Sequence, residues 1–155
     1  MPANFFYIGL IHSLLPNATI VHVHRDPLDT CASIYARLFR NDMPFAYSLE
    51  NLACYYNQYQ QLMAYWRALL PAGAFLDLAY EDLVQNQQQT TKALLNFCQL
   101  PWHEACLSPH KTQRLINTAS FDQVRRPMYT SSIGQWRRYN DLYAPLVKML
   151  ADGDC

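Results

Sequence analysis

The sequence predicts an α/β domain with a parallel sheet flanked by helices, and three observations carry that prediction. Thr19–His24 is β-branched and almost wholly apolar apart from His22 and His24, as expected of a strand inside a parallel sheet covered by helices. Ala74–Ala79 is a second short apolar run. Between them lie two helical segments, in the alternation of strand and helix that a parallel sheet requires.

Taken in order, Asn4 is suited to cap a helix over about Phe5 to Leu15, with Phe5, Ile8, Ile11 or His12, and Leu15 on one face. Pro16 and Asn17 end it before the first strand. Asp26 then suits a helix cap, Pro27 the first turn, and Asp29 the third position, so a helix is expected from about Pro27 to Phe39. A looser stretch around Asn41–Phe45 leads to a long helix, about Leu49 to Leu70. Its apolar positions Leu52, Tyr56, Tyr59, Met63, Trp66 and Leu70 recur every three or four residues. Pro71–Gly73 breaks that helix ahead of the second strand, which runs into Tyr80-Glu81-Asp82-Leu83. Asn86 with Gln89 reads as a capping pair opening a helix to about Cys98. Leu100–Ser132 is poorly periodic, with a short helix near His103. Helical signals return over Ile133–Tyr139 and over Ala144–Leu150, where Pro145 marks the start.

The 155 residues allow one domain, and an apolar fraction of 51% excludes a disordered chain. A net charge of zero argues against a nucleic-acid partner, although Arg125, Arg126, Arg137 and Arg138 crowd the last quarter and suit a small polyanion. No apolar run nears the roughly 18 residues of a membrane span, and no signal-peptide pattern is visible. The five cysteines lack zinc or redox spacing, so free thiols and a reducing, cytoplasmic setting are the default expectation, with one disulfide left open. Two strands cannot cover both faces of a stable parallel sheet, and Met1–Asn4 runs into apolar sequence with no lead-in. Both features point to a piece of a larger domain.

Ligands of open α/β folds collect at the carboxyl ends of strands, where Arg25 and Tyr80 stand. Ser33 and Arg37 are four residues apart, one helix face, with Asp29 a turn earlier. Arg25 and Arg37 could fork onto the oxygens of one phosphate while Ser33 donates a third bond, because planar guanidinium donors match such oxygens in pairs. A plainer alternative stays open: Arg37 paired with Asp29 or another acid, and Ser33 a small residue beside a core. His22 and His24 share a sheet face and read as packed, hydrogen-bonded histidines rather than metal ligands. Thr118–Tyr129 with Trp136-Arg137-Arg138 is a longer polar and basic loop than a connector needs.

These pieces, in this order, resemble the carboxy-terminal part of PAPS-dependent sulfotransferases, a partial P-loop-NTPase-like fold. The likeness is strongest to protein-tyrosine sulfotransferases and to bacterial sulfotransferases that often carry tetratricopeptide repeats. It covers Ala3 to about Met149, and Val23–Ser33 with Arg37 is its most specific stretch. The resemblance implies that residues 1–155 are the carboxy-terminal part of a single sulfotransferase domain. It implies that Arg25, Ser33 and Arg37 bind the 3'-phosphate of PAPS and that Tyr80 lies at the nucleotide. It further implies that a loop closes over the cofactor, formed by Ser120, Phe121, Asp122, Gln123, Val124, Arg125, Arg126, Pro127, Met128 and Tyr129. Ser120 would lie near the reaction centre as the catalytic residue of this stretch. Trp136 matches a family tryptophan, but Gln135 stands where those relatives have a cofactor-contacting lysine.

The implied reaction is sulfuryl transfer from PAPS to an acceptor hydroxyl, leaving adenosine 3',5'-bisphosphate, with no metal. Peptidyl tyrosine, carbohydrate and small-molecule hydroxyls all stay open as acceptors. The family's amino-terminal strand and phosphosulfate loop have no counterpart: the four glycines, Gly9, Gly73, Gly134 and Gly153, are scattered. Catalysis by this chain alone is therefore not expected. Two other classes fit less of the sequence, a P-loop nucleotide kinase relative and a non-enzymatic helical binding module presenting the tyrosines of the long helix.

Overall fold

Both apolar runs become strands in the computed structural model, which describes residues 2–37, 43–111 and 125–153. A 3₁₀ turn over Pro2–Tyr7 leads into α1 (Ile8–Leu14), and β1 follows at Ile20–His24. Helix α2 (Pro27–Tyr35), a 3₁₀ turn (Pro44–Tyr47) and the long α3 (Leu49–Leu69) precede β2 (Phe75–Ala79). Then come α4 (Tyr80–Gln85), α5 (Gln87–Phe97), and α6 (Asn140–Asp152), the last entered through a 3₁₀ turn over Gln135–Tyr139. Among the described residues the sheet has two strands, paired in parallel, with His22 opposite Asp77 and His24 opposite Ala79.

The core is a three-helix contact. Cys31 and Ala32 of α2, Leu52, Ala53 and Tyr56 of α3, and Tyr143 and Leu146 of α6 are buried against one another. Asn57 of α3 donates to the Met149 carbonyl at 3.2 Å, so a buried polar group also ties α3 to α6. Helix α1 meets the other end of α3 at Gly9, where a side-chain Cβ would come within 2.7 Å of the Trp66 ring. Trp66 donates its indole N–H to the Phe5 carbonyl at 2.8 Å, holding that close approach.

Several expectations are corrected. Tyr7, not Asn4, precedes α1, and no side chain caps that helix. Asn86 makes no side-chain cap; its carbonyl instead accepts from the Thr90 N–H at 3.0 Å. Pro145 lies inside α6 rather than at its start, because the helix begins five residues earlier at Asn140. Helix α2 ends at Tyr35 instead of Phe39, in a tighter turn where the Arg37 N–H bonds to the Ile34 carbonyl at 3.1 Å. Among the described residues, strand β1 is not covered on both faces either. Alternation puts His22 toward α3 and Val23 on the opposite side, where Val23 is 57% exposed. Cys31, Cys98 and Cys106 carry free thiols, whereas Cys54 is disulfide-bonded, so the expectation of free thiols fails at that residue.

Candidate functional site

The parallel register sets up the site. With His24 opposite Ala79, the next residues, Arg25 and Tyr80, leave neighbouring strand ends together. The Arg25 guanidinium carbon lies 5.3 Å from the centre of the Tyr80 ring, a cation–π distance. Behind Arg25, the Asp26 carboxylate accepts from the Asp29 N–H at 2.9 Å, forming the expected cap of α2. The Asp26 N–H donates to Glu81 at 3.0 Å, which fastens the start of α2 to the start of α4.

A distant segment, Ser132–Trp136, seats on this base. Arg25 Nη2 donates to the Ser132 carbonyl, and the Ser132 and Tyr80 hydroxyls share a 2.8 Å hydrogen bond. Asp29 Oδ2 accepts from the Gly134 N–H at 2.6 Å, and Oδ1 lies 3.4 Å from the Trp136 nitrogen that donates to it. Arg25 Nη2 is 3.5 Å from Asp29 Oδ2. Gly134 takes φ +70°, a left-handed conformation that costs glycine little. Asp29 is 2% exposed, and a buried carboxylate is costly without partners; here a guanidinium and two backbone N–H groups supply them.

One donor has no such partner. Arg25 Nε is buried and makes no hydrogen bond. Buried donors nearly always find acceptors, so an unmatched guanidinium N–H at a strand's carboxyl end fits an anionic oxygen. No activated nucleophile stands beside it among the described residues. Burial, reinforced by the Asp26 charge, pushes the Cys31 thiol up to about 12, leaving it protonated and unreactive. Burial likewise raises the pKa of Tyr56, whose hydroxyl points to the Arg25 carbonyl at 3.5 Å. What the arrangement offers chemically is a guanidinium donor at a strand end, with no acceptor of its own for Nε.

Arg25 and Tyr80 are thus brought together as their sequence positions suggest. Ser33 is half-buried in α2, while Arg37 lies beyond the α2 carboxyl end, off the continuous helical face assumed for the pair. Ser120, Phe121, Asp122, Gln123 and Val124 lie outside the described residues. Arg125, Arg126, Pro127 and Tyr129 are exposed. Gln135 donates to the Ser131 carbonyl at 2.9 Å, and Arg137 stacks on Trp136 at 5.6 Å. Among the described residues no three His, Cys, Asp or Glu side chains converge to hold a metal ion, and no helix is long and apolar enough to cross a membrane.

Sequence reasoning missed Asp29 as the hub, together with Ser132 and Gly134. An isolated glycine ahead of Gln135 and Trp136 was a usable sign of a left-handed turn. The Ser132 carbonyl carried no sign at all, since every residue has one.

Comparison with known proteins bears on the family. Residues 1–104 match the model of a sulfotransferase family. The chain is also 36% identical, over 156 aligned positions, to an uncharacterized protein of Aquifex aeolicus (strain VF5). That alignment covers 99% of this chain but 20% of the relative, so the chain spans about a fifth of the relative's length.

Proposed function

The chain belongs to the sulfotransferase family, and from that premise we propose that it grips the 3'-phosphate of PAPS within a larger sulfotransferase domain. In this reading residues 1–155 are the carboxy-terminal part of that domain. The observation that carries it is the half-buried Arg25 guanidinium at the carboxyl end of β1, whose Nε is buried and unmatched. Arg25, Ser33 and Arg37 hold the phosphate oxygens, and Tyr80 flanks the nucleotide. Residues 120–127 and Tyr129 close over it, bringing Ser120 to the transferring group.

When bound, PAPS supplies a sulfuryl group for in-line transfer to an acceptor hydroxyl, for which peptidyl tyrosine is the first substrate to try. A base outside this chain takes the acceptor's proton. This chain's own residues orient and neutralise, so their loss acts on cofactor affinity before turnover. No Gly-rich phosphosulfate loop occurs in the sequence, and the chain by itself is accordingly expected to transfer no sulfate.

The test is calorimetric titration with adenosine 3',5'-bisphosphate, using this chain joined to the amino-terminal half of a sulfotransferase domain. Arg25→Ala should weaken binding by about tenfold or more, the usual scale for a charged hydrogen bond. Unchanged affinity in that variant would remove Arg25 from the site.

A further inference from the structure

Asp29 places a negative charge beside the arginine assigned to an anion. At 3.5 Å from Arg25 Nη2 its charge opposes an incoming anion, so what it contributes is geometric. Its two oxygens accept from the backbone of Gly134 and Trp136, which lie 105 and 107 positions along the chain. Resting on the reading of Arg25 given above, we propose that Asp29 is a positioning residue that locks the Arg25 fork to the Gly134–Trp136 backbone, so that anion binding and seating of that segment reinforce each other.

The physical case runs through two costs. With the segment seated, Arg25 Nη2 donates to the Ser132 carbonyl and lies 3.5 Å from Asp29 Oδ2, and the Tyr80 ring flanks the guanidinium, which together restrain it while Nε stays unmatched. A fork already fixed loses little freedom when an anion arrives. With the segment lifted, Asp29 would lose two backbone donors that water would have to replace, a difference that favours the seated state. Linkage then requires that whatever the seated segment adds to anion affinity, the anion returns to the segment's stability. The Ser132–Tyr80 hydroxyl pair joins the second strand end to the same contact.

A mutant cycle in the full-length protein, with adenosine 3',5'-bisphosphate as the probe, tests the coupling. Asp29→Asn and Gly134→Ala should each weaken binding about tenfold. The glycine change acts through its φ of +70°, outside the core, and so stands in if the Asp29 variant folds poorly. The double variant should bind no worse than the weaker single one. Losses that multiply to about a hundredfold, or two single variants with native affinity, overturn the proposal. Amide exchange supplies an arm without ligand: Arg25→Ala should speed exchange at Gly134 and Trp136 about tenfold while α3 amides keep their native rates. Native exchange at those two amides also overturns the coupling. A wild-type protein that fails to bind the bisphosphate defeats the functional reading instead, and the exchange arm then decides the coupling by itself.

Discussion

Asp77 stands opposite His22 in the parallel register and takes hydrogen bonds from two directions. Arg67 forks onto it, Nε to Oδ2 at 2.8 Å and Nη2 to Oδ1 at 2.9 Å, while His22 Nδ1 donates to Oδ1 at 2.5 Å. The Arg67 hydrogen bonds, aided by His22, lower the Asp77 carboxyl from 3.8 to about 2. A carboxylate whose folded pKa is depressed stabilises the fold above its unfolded pKa and loses that contribution as pH falls through the folded value. Melting temperature should therefore drop between about pH 4 and 2 in the native chain. Asp77→Asn should melt lower near neutrality and show a flatter acid limb, by a modest margin because Asp77 is a third exposed. Equal acid limbs would discount the pairing. His22 is hydrogen-bonded as its place in an apolar strand suggests, but its partners, Tyr59 and Asp77, are 37 and 55 residues away and had no local signature.

Helix α3 is the element that the sequence describes best. Ser48 caps it by accepting from the Asn51 N–H at 3.2 Å, and Leu52, Tyr56 and Met63 of the predicted stripe are buried. What the stripe packs against was not legible, since ridges of one helix accept many partners. The structure seats α2 and α6 there, with Leu146 fully buried at the contact. Leu146→Ala should cost about 3 kcal/mol, the transfer loss plus the cavity left behind, seen as a lower denaturant midpoint. A change below about 1 kcal/mol would mean that α6 does not complete the core. Helix α2 teaches the opposite lesson. No glycine or proline follows Pro27 before Pro44, so nothing local marks the stop after Tyr35, and Arg37 was assigned to a helical face it does not occupy.

At the scale of the whole molecule, large apolar side chains stand exposed on α1 and on the sheet. Leu10 and Leu14, one turn apart on α1, are 55% and 68% exposed, and Val23 stands out from the sheet. Exposed apolar side chains of this kind bind environment-sensitive dyes. The 155-residue chain alone should raise ANS fluorescence under native conditions, and joining it to the amino-terminal half of a sulfotransferase domain should lower that signal. An equally bright joined protein would argue against the larger-domain reading. By itself the sequence determined the two strands, the α3 stripe, the Asp26 cap and the station of Arg25 at a strand end, because each depends on residue type and short-range periodicity. Tertiary structure alone decided that Asp29 is the hub beneath Arg25 and that Ser132, Gly134 and Trp136 close over it. Those contacts join positions more than a hundred residues apart through backbone N–H and C=O groups. Such groups are common to almost every residue, so only the folded path of the chain can select which of them meet.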